Sequence, residues 1–288
     1  MRWATALPLL IAAGPALAHD GEVHGAAWTF GPEIILPLLV GALVYAVGFA
    51  RLWKRSDRGR ASLRRESWLF GLGWLVLAGS LVSPLHEAGE RSFTMHMIEH
   101  ELIMLVAALL IVAGRPGPAL LWGLPDRLRP AGAALARWPV WRLLTDPVVA
   151  TVLQALAIWA WHAPRLFDLA LGSDGWHIAQ HFSFIATALL FWWAMLFGRG
   201  GYGVAILCLF LTSMVGGLLG ALMALSSSPW YQGYAALGLT PEGLSPAQDQ
   251  QLAGLIMWLP GGTFHLAAAL WLLWKWLKVS EARDAHPA

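Results

Sequence analysis

The residues best equipped for chemistry lie between Thr94 and Met104, Thr-Met-His-Met-Ile-Glu-His-Glu-Leu-Ile-Met. In a helix His96 and His100 share one face, about one turn or 6 Å apart. Met97 and Met104 flank that face and Glu99 falls on its other side. Imidazole with thioether suits copper, and imidazole with carboxylate suits zinc. The pattern repeats, because His177 and His181 are again four residues apart, and Trp161-His162-Ala163-Pro164 adds a fifth imidazole. Polar side chains are costly within a membrane and normally face a partner or a cavity, so a metal ion would satisfy several of these rings together. His265 reads as a ring bonded to a neighbouring helix, and His86, beside Glu87, as a solvated loop residue. Methionines at helical spacing are usually core filler, which sets Met97 ahead of Met95, Met104 and Met257 as a ligand only through its place beside the histidines.

The elements that must position these groups are apolar helices. With 58% apolar and 12% charged residues in 288, the chain is a polytopic membrane protein. Residues 1–18 combine Arg2, an apolar run and the ending Ala16-Leu17-Ala18, the pattern of a cleavable signal peptide. Cleavage would expose His19, whose amine and ring chelate copper(II), with His24 near it. A leader over 19–31, a membrane domain over 32–278 and a tail over 279–288 follow. Seven spans are expected at about 32–53, 67–84, 93–114, 146–163, 175–197, 202–225 and 250–274. The predicted fold is thus an all-α, seven-transmembrane helix bundle. Gly216, Gly217 and Gly220 would permit a close helix crossing.

Charge supplies the orientation. If the first span runs outward to inward, sixteen lysines and arginines fall inside and only Arg91 and Arg165 outside, which places the C-terminus in the cytoplasm. His96, His100, His162, His177 and His181 then all lie at the outer face of a bacterial inner membrane. The run from Arg51 to Glu66 reads as a headgroup-facing loop, touching membrane lipid, and the basic residues imply no nucleic-acid partner. The stretch from Arg115 to Thr145 is expected to lie along the inner surface, and the outer loop from Ser226 to Gln248, with Trp230, Tyr231 and Tyr234, to anchor at the interface or dock a partner. The single cysteine, Cys208, excludes an intrachain disulfide and any Cys-x-x-Cys site.

Several short motifs, taken in order, resemble a known family. His96-Met97-x-x-His100, the run to Gly114-x-Pro116, Trp161-His162-x-Pro164 with Asp168, His177 with His181, and Asp249-Gln250 leading to Gly254-x-x-Met257-Trp258 are similar to the caa3-type cytochrome c oxidase assembly factors, the CtaG-like family. The likeness covers about 35–275. It implies a non-enzymatic membrane factor that helps copper reach the buried copper centre of a haem-copper oxidase, with an oxidase subunit as partner and a periplasmic copper carrier as donor. On that reading His96, His100, His177 and His181 form the principal metal site, His162 completes it or passes the ion on, and Met97 favours Cu(I). Two alternatives stay open. His96-x-x-Glu99-His100 matches the inverted zincin pattern of a zinc hydrolase, with Asp168 or Asp249 as a third ligand. Opposed histidines could instead hold haem.

Overall fold

The computed structural model describes residues 27–284, and within them every regular element is a helix. The signal peptide, His19, His24 and His286 lie outside the described residues. In chain order the helices are α1 (Pro32–Arg55), α2 (Arg60–Val82), α3 (Pro84–Arg91), α4 (Phe93–Glu101), α5 (Ala108–Ala113), α6 (Gly117–Gly123), α7 (Arg129–Arg137), α8 (Pro139–Leu144), α9 (Pro147–Trp161), α10 (Pro164–Leu171), α11 (Asp174–Phe197), α12 (Gly201–Leu225), α13 (Gln232–Leu237) and α14 (Pro246–Asp284). A π-helical segment, Leu102–Ala107, joins α4 to α5 in one continuous rod.

Five of these rods are long and apolar enough to cross a bilayer: Pro32–Arg55, Phe93–Ala113, Asp174–Phe197, Gly201–Leu225 and Pro246–Ala282. Helices α2 and α3 together make a sixth, bent by 46° where Pro84 removes a backbone donor. The fourth expected span is realised as α9, an apolar helix of only 15 residues, or about 22 Å at 1.5 Å per residue. Asp146 starts it, accepting hydrogen bonds from the Val148 and Val149 amides, and Pro164 opens the next helix three residues after its end. The protein is therefore a multi-pass, all-helical membrane protein.

Phe93–Ala113 is the central rod: 61% of its most apolar window is buried, against 11% for α1. One apolar core joins it to α9, α11, α12 and α14, and a second joins it to α1, α2 and α6. Helices α12 and α14 cross closely, where a Cβ on Gly220 would sit 2.7 Å from the Gly254 carbonyl and one on Gly254 would sit 2.5 Å from the Gly220 carbonyl. Of the three glycines expected at a crossing, Gly220 fulfils it, Gly217 faces Trp258, and Gly216 opens on free space.

Two surface expectations need correction. The charged stretch after α1 is largely helical, because arginine, glutamate, alanine and leucine favour helix, so only residues 56–59 separate α1 from α2. The stretch from Arg115 to Thr145 does not simply lie on a surface: α6 packs into α1, with Gly48 against the Ala119 carbonyl and Gly123 against that of Val44. Arg51 ties the join, donating to the Trp122 and Leu124 carbonyls at 2.7 and 3.1 Å.

Candidate metal centre

The start of α4 is fixed from two directions. Ser92 caps it locally by accepting from the Met95 amide, and Asp249 reaches across from α14. The buried Asp249 carboxylate accepts from the Phe93 and Thr94 amides at 2.6 and 3.1 Å and from the Ser92 hydroxyl at 2.9 Å. A carboxylate on the exposed amides of a helix N-terminus is a strong, charge-assisted cap. It sets the depth and rotation of the helix that carries His96 and His100.

Four of the predicted imidazoles converge. The His96 and His100 rings are 4.2 Å apart between centroids, His96 and His177 5.7 Å, His100 and His181 5.0 Å, and His177 and His181 4.6 Å. The Nε2 atoms of His177 and His181 lie 2.9 Å apart, close to the spacing of two nitrogens each about 2.0 Å from one ion. His96 Nε2, both nitrogens of His100, His181 Nδ1 and Glu99 Oε2 are buried with no hydrogen-bond partner among the described residues. Such atoms are expensive to leave unmet in an apolar interior, yet close ring centroids do not put all of them within reach of one ion: His96, His100 and His177 are outside the group whose donor atoms lie close enough together.

Two members of the cluster depart from the sequence reading. His86, expected in solvent, stacks on His177 at 5.3 Å and has its Nδ1 2.8 Å from Glu99 Oε1. Glu99, assigned to the far side of the helix, is wholly buried and points at His86. Donor atoms of His86, Glu99 and His181 lie within 4.8 Å of one another. The bend at Pro84 and the turn at Ser92 fold α3 back along α4, which is the step that sequence spacing cannot show. The available signal was weak: the cap residues Ser83 and Ser92 each precede a short helical stretch, so His86 sits on a structured element that packs on α4.

The remaining predicted residues sit apart. His162 caps α9, its Nδ1 2.7 Å from the Ile158 carbonyl and its Nε2 unpartnered. Phe167 and Phe184 are each in ring contact with His162 and also with His96 or His100, respectively, while no imidazole is among its ring contacts within the described residues. Met97 is buried in the main apolar core. Asp168 and Asp249, the acidic ligands a zinc hydrolase would need, are both engaged with backbone amides, Asp168 with those of Gln232 and Gly233.

The loop after α12 closes over this end of the bundle and turns two of its tyrosines inward. Tyr231 and Tyr234 are buried, donating to the carbonyls of His162 and Gly89 respectively. Burial pushes both phenols up from their ordinary value, so both remain donors. Phe93 packs edge to face on Phe167 and Tyr231, Phe167 stacks on Tyr231, Phe93 meets Tyr234 at a tilt, and Gln250 fixes the base of the loop, accepting from the Trp230 amide.

A multi-helix membrane protein with a buried histidine and carboxylate cluster at one end of the bundle is the class that fold and site define together. The comparison with family models matches residues 43–279 to the cytochrome c oxidase caa3 assembly factors, and the chain belongs to that family. Uncharacterised proteins of Mycobacterium bovis and Mycobacterium tuberculosis are each 30% identical to it over 278 residues, and one of Mycobacterium leprae is 26% identical over 276. These alignments take in 90% of this chain but only 41% of each relative, so the chain spans less than half the length of the curated relatives it matches. No solved structure matches it.

Proposed function

We propose that this protein holds copper at the cluster of His86, His96, Glu99, His100, His177 and His181 and releases it to a haem-copper oxidase during assembly. The supporting observation is the set of buried, unpartnered ring nitrogens on α4 and α11 brought together with the His86–Glu99 pair. Imidazoles suit copper, and ring centroids 4.2–5.7 Å apart favour one small ion over a haem macrocycle between opposed rings. The engaged carboxylates of Asp168 and Asp249 weigh against a zinc hydrolase. On this reading the chain makes seven crossings of the inner membrane, with α9 the short one. The C-terminus is cytoplasmic and the metal centre faces the periplasm, where a carrier supplies the ion. His162 stands next along the path, its Nε2 free behind the phenylalanine pair.

The test is copper retention by detergent-purified protein after dialysis. Wild type is expected to keep copper, and the His96→Ala, His100→Ala double variant to lose most of it. Equal copper in both preparations removes the site. In cells the same variant is expected to leave the oxidase with haem but short of copper, measured on the purified oxidase.

A further inference from the structure

Deeper in the bundle lies a second group of buried donors that the histidine cluster does not include. A cavity of about 30 Å³ is lined by Glu101, Met104, Gln154, Met257, Gly261 and His265, among others. These residues come from α4, the π segment, α9 and α14, so only the folded bundle assembles them. Among the described residues, Glu101 Oε2, Gln154 Oε1 and His265 Nε2 have no hydrogen-bond partner, and Gln154 and His265 are more than nine-tenths buried.

The form of His265 follows from its contacts. Its Nδ1 lies 2.8 Å from the Gly261 carbonyl, which can only accept, so Nδ1 carries the hydrogen and the neutral ring presents a lone pair at Nε2. Gly261 also keeps the cavity open, since a Cβ there would stand 3.0 Å from Glu101 Oε2. An imidazole nitrogen, an amide oxygen and a carboxyl oxygen can each offer a lone pair to an ion, and among the described residues no lysine or arginine lines the cavity. Water is small enough to enter, because one molecule needs roughly 10–15 Å³ of such space. A water there would meet the Glu101, Gln154 and His265 acceptors and the Ser213 hydroxyl, but it gains little from the thioethers of Met104 and Met257, which also line the cavity. Thioether sulfur with imidazole selects Cu(I) among the first-row metals. One Cu(I) beside one carboxylate is also electrically neutral, the condition an apolar interior favours most.

We infer that this cavity is a second copper site, binding a single Cu(I) through His265 Nε2, the Glu101 carboxylate and the sulfurs of Met104 and Met257. Met104 stands four residues beyond His100, so the inner site lies about one turn further along the same rod. The π segment occupies that turn. Its wider winding, with the Ala108 amide bonding Ile103, accompanies a side-on bond from the Trp192 indole to the Met104 carbonyl at 2.8 Å, which holds this part of the rod in place.

The experiment loads the full-length detergent-solubilised protein with Cu(I) under reducing conditions against a chromophoric Cu(I) chelator, and records the copper X-ray absorption edge. Wild type is expected to hold about two Cu(I) per chain, with sulfur in the coordination shell. A Met104→Leu, Met257→Leu double variant, chosen because leucine matches methionine in volume, is expected to hold about one and to lose the sulfur scattering. His265→Gln is expected to lose the same ion, and a thermal melt confirms that each variant is folded. The His96→Ala, His100→Ala variant is expected to retain the sulfur-bound ion, which separates this inference from the outer site. Unchanged stoichiometry in the methionine variant, or no sulfur scattering in wild type, overturns it.

Discussion

At the scale of single residues, the outer centre depends on which atoms the fold leaves unmatched. Glu99 has one oxygen bonded to His86 and the other without a partner among the described residues, so hydrogen bonding fixes its position and, in the proposed site, the second oxygen is available to the ion. Replacing it by glutamine keeps the shape and removes the charge. Glu99→Gln is expected to weaken copper retention by about tenfold, in the range seen when a supporting carboxylate is lost from a metal site. Chelator competition measures it. His181 and His162 make a sharper contrast, since one ring contacts four of its neighbours' imidazoles and the other contacts only phenylalanines. His181→Ala should therefore cost most of the outer ion, whereas His162→Ala should change equilibrium retention less than about threefold and act, if anywhere, on the rate of release.

At the scale of elements, the position of α4 relative to α14 decides whether the site exists. The Asp249 carboxylate is buried, and its removal would strand two amides and a hydroxyl without partners. Asp249→Ala is expected to destabilise the protein by about 3 kcal/mol and to loosen copper binding, whereas Asp249→Asn retains part of the cap. Thermal unfolding in detergent, followed by circular dichroism, distinguishes the two. A second element-level prediction concerns the α12 and α14 crossing. Leucine at Gly254 would drive a side chain into the Gly220 carbonyl and the Ala224 amide, so Gly254→Leu should cost about 3 kcal/mol or prevent accumulation of the protein. Leucine at Gly216, where a Cβ meets open space, should be tolerated in the same assay.

At the scale of the whole molecule, the proposed orientation puts sixteen basic residues inside and two outside, as the positive-inside rule expects. With Cys208 replaced by alanine, a cysteine at Ala236, exposed in the loop over the metal centre, is expected to react with a membrane-impermeant maleimide on intact spheroplasts. A cysteine at Arg58, between α1 and α2, should react only after permeabilisation. The opposite labelling pattern would turn the centre toward the cytoplasm and remove a periplasmic carrier as its donor.

Sequence by itself determined what depends on neighbours along the chain. Apolar runs located most rods to within a few residues, but α2 starts seven residues before and α14 runs ten residues beyond its expected span, where charged residues continue the helix; the i, i+4 pairs at His96 and His177 were legible because a helix repeats every 3.6 residues. Tertiary structure alone decided which rods meet. It brought His86 and Glu99 into the cluster by folding α3 back at Pro84, turned Asp168 and Asp249 into helix caps, set His162 behind Phe167 and Phe184, and closed Glu101, Gln154 and His265 around one cavity from segments more than fifty residues apart. The reason is physical: helical periodicity fixes a side chain's direction on its own axis, whereas its partner across the bundle is chosen by packing, glycine contacts and buried hydrogen bonds that no local pattern encodes.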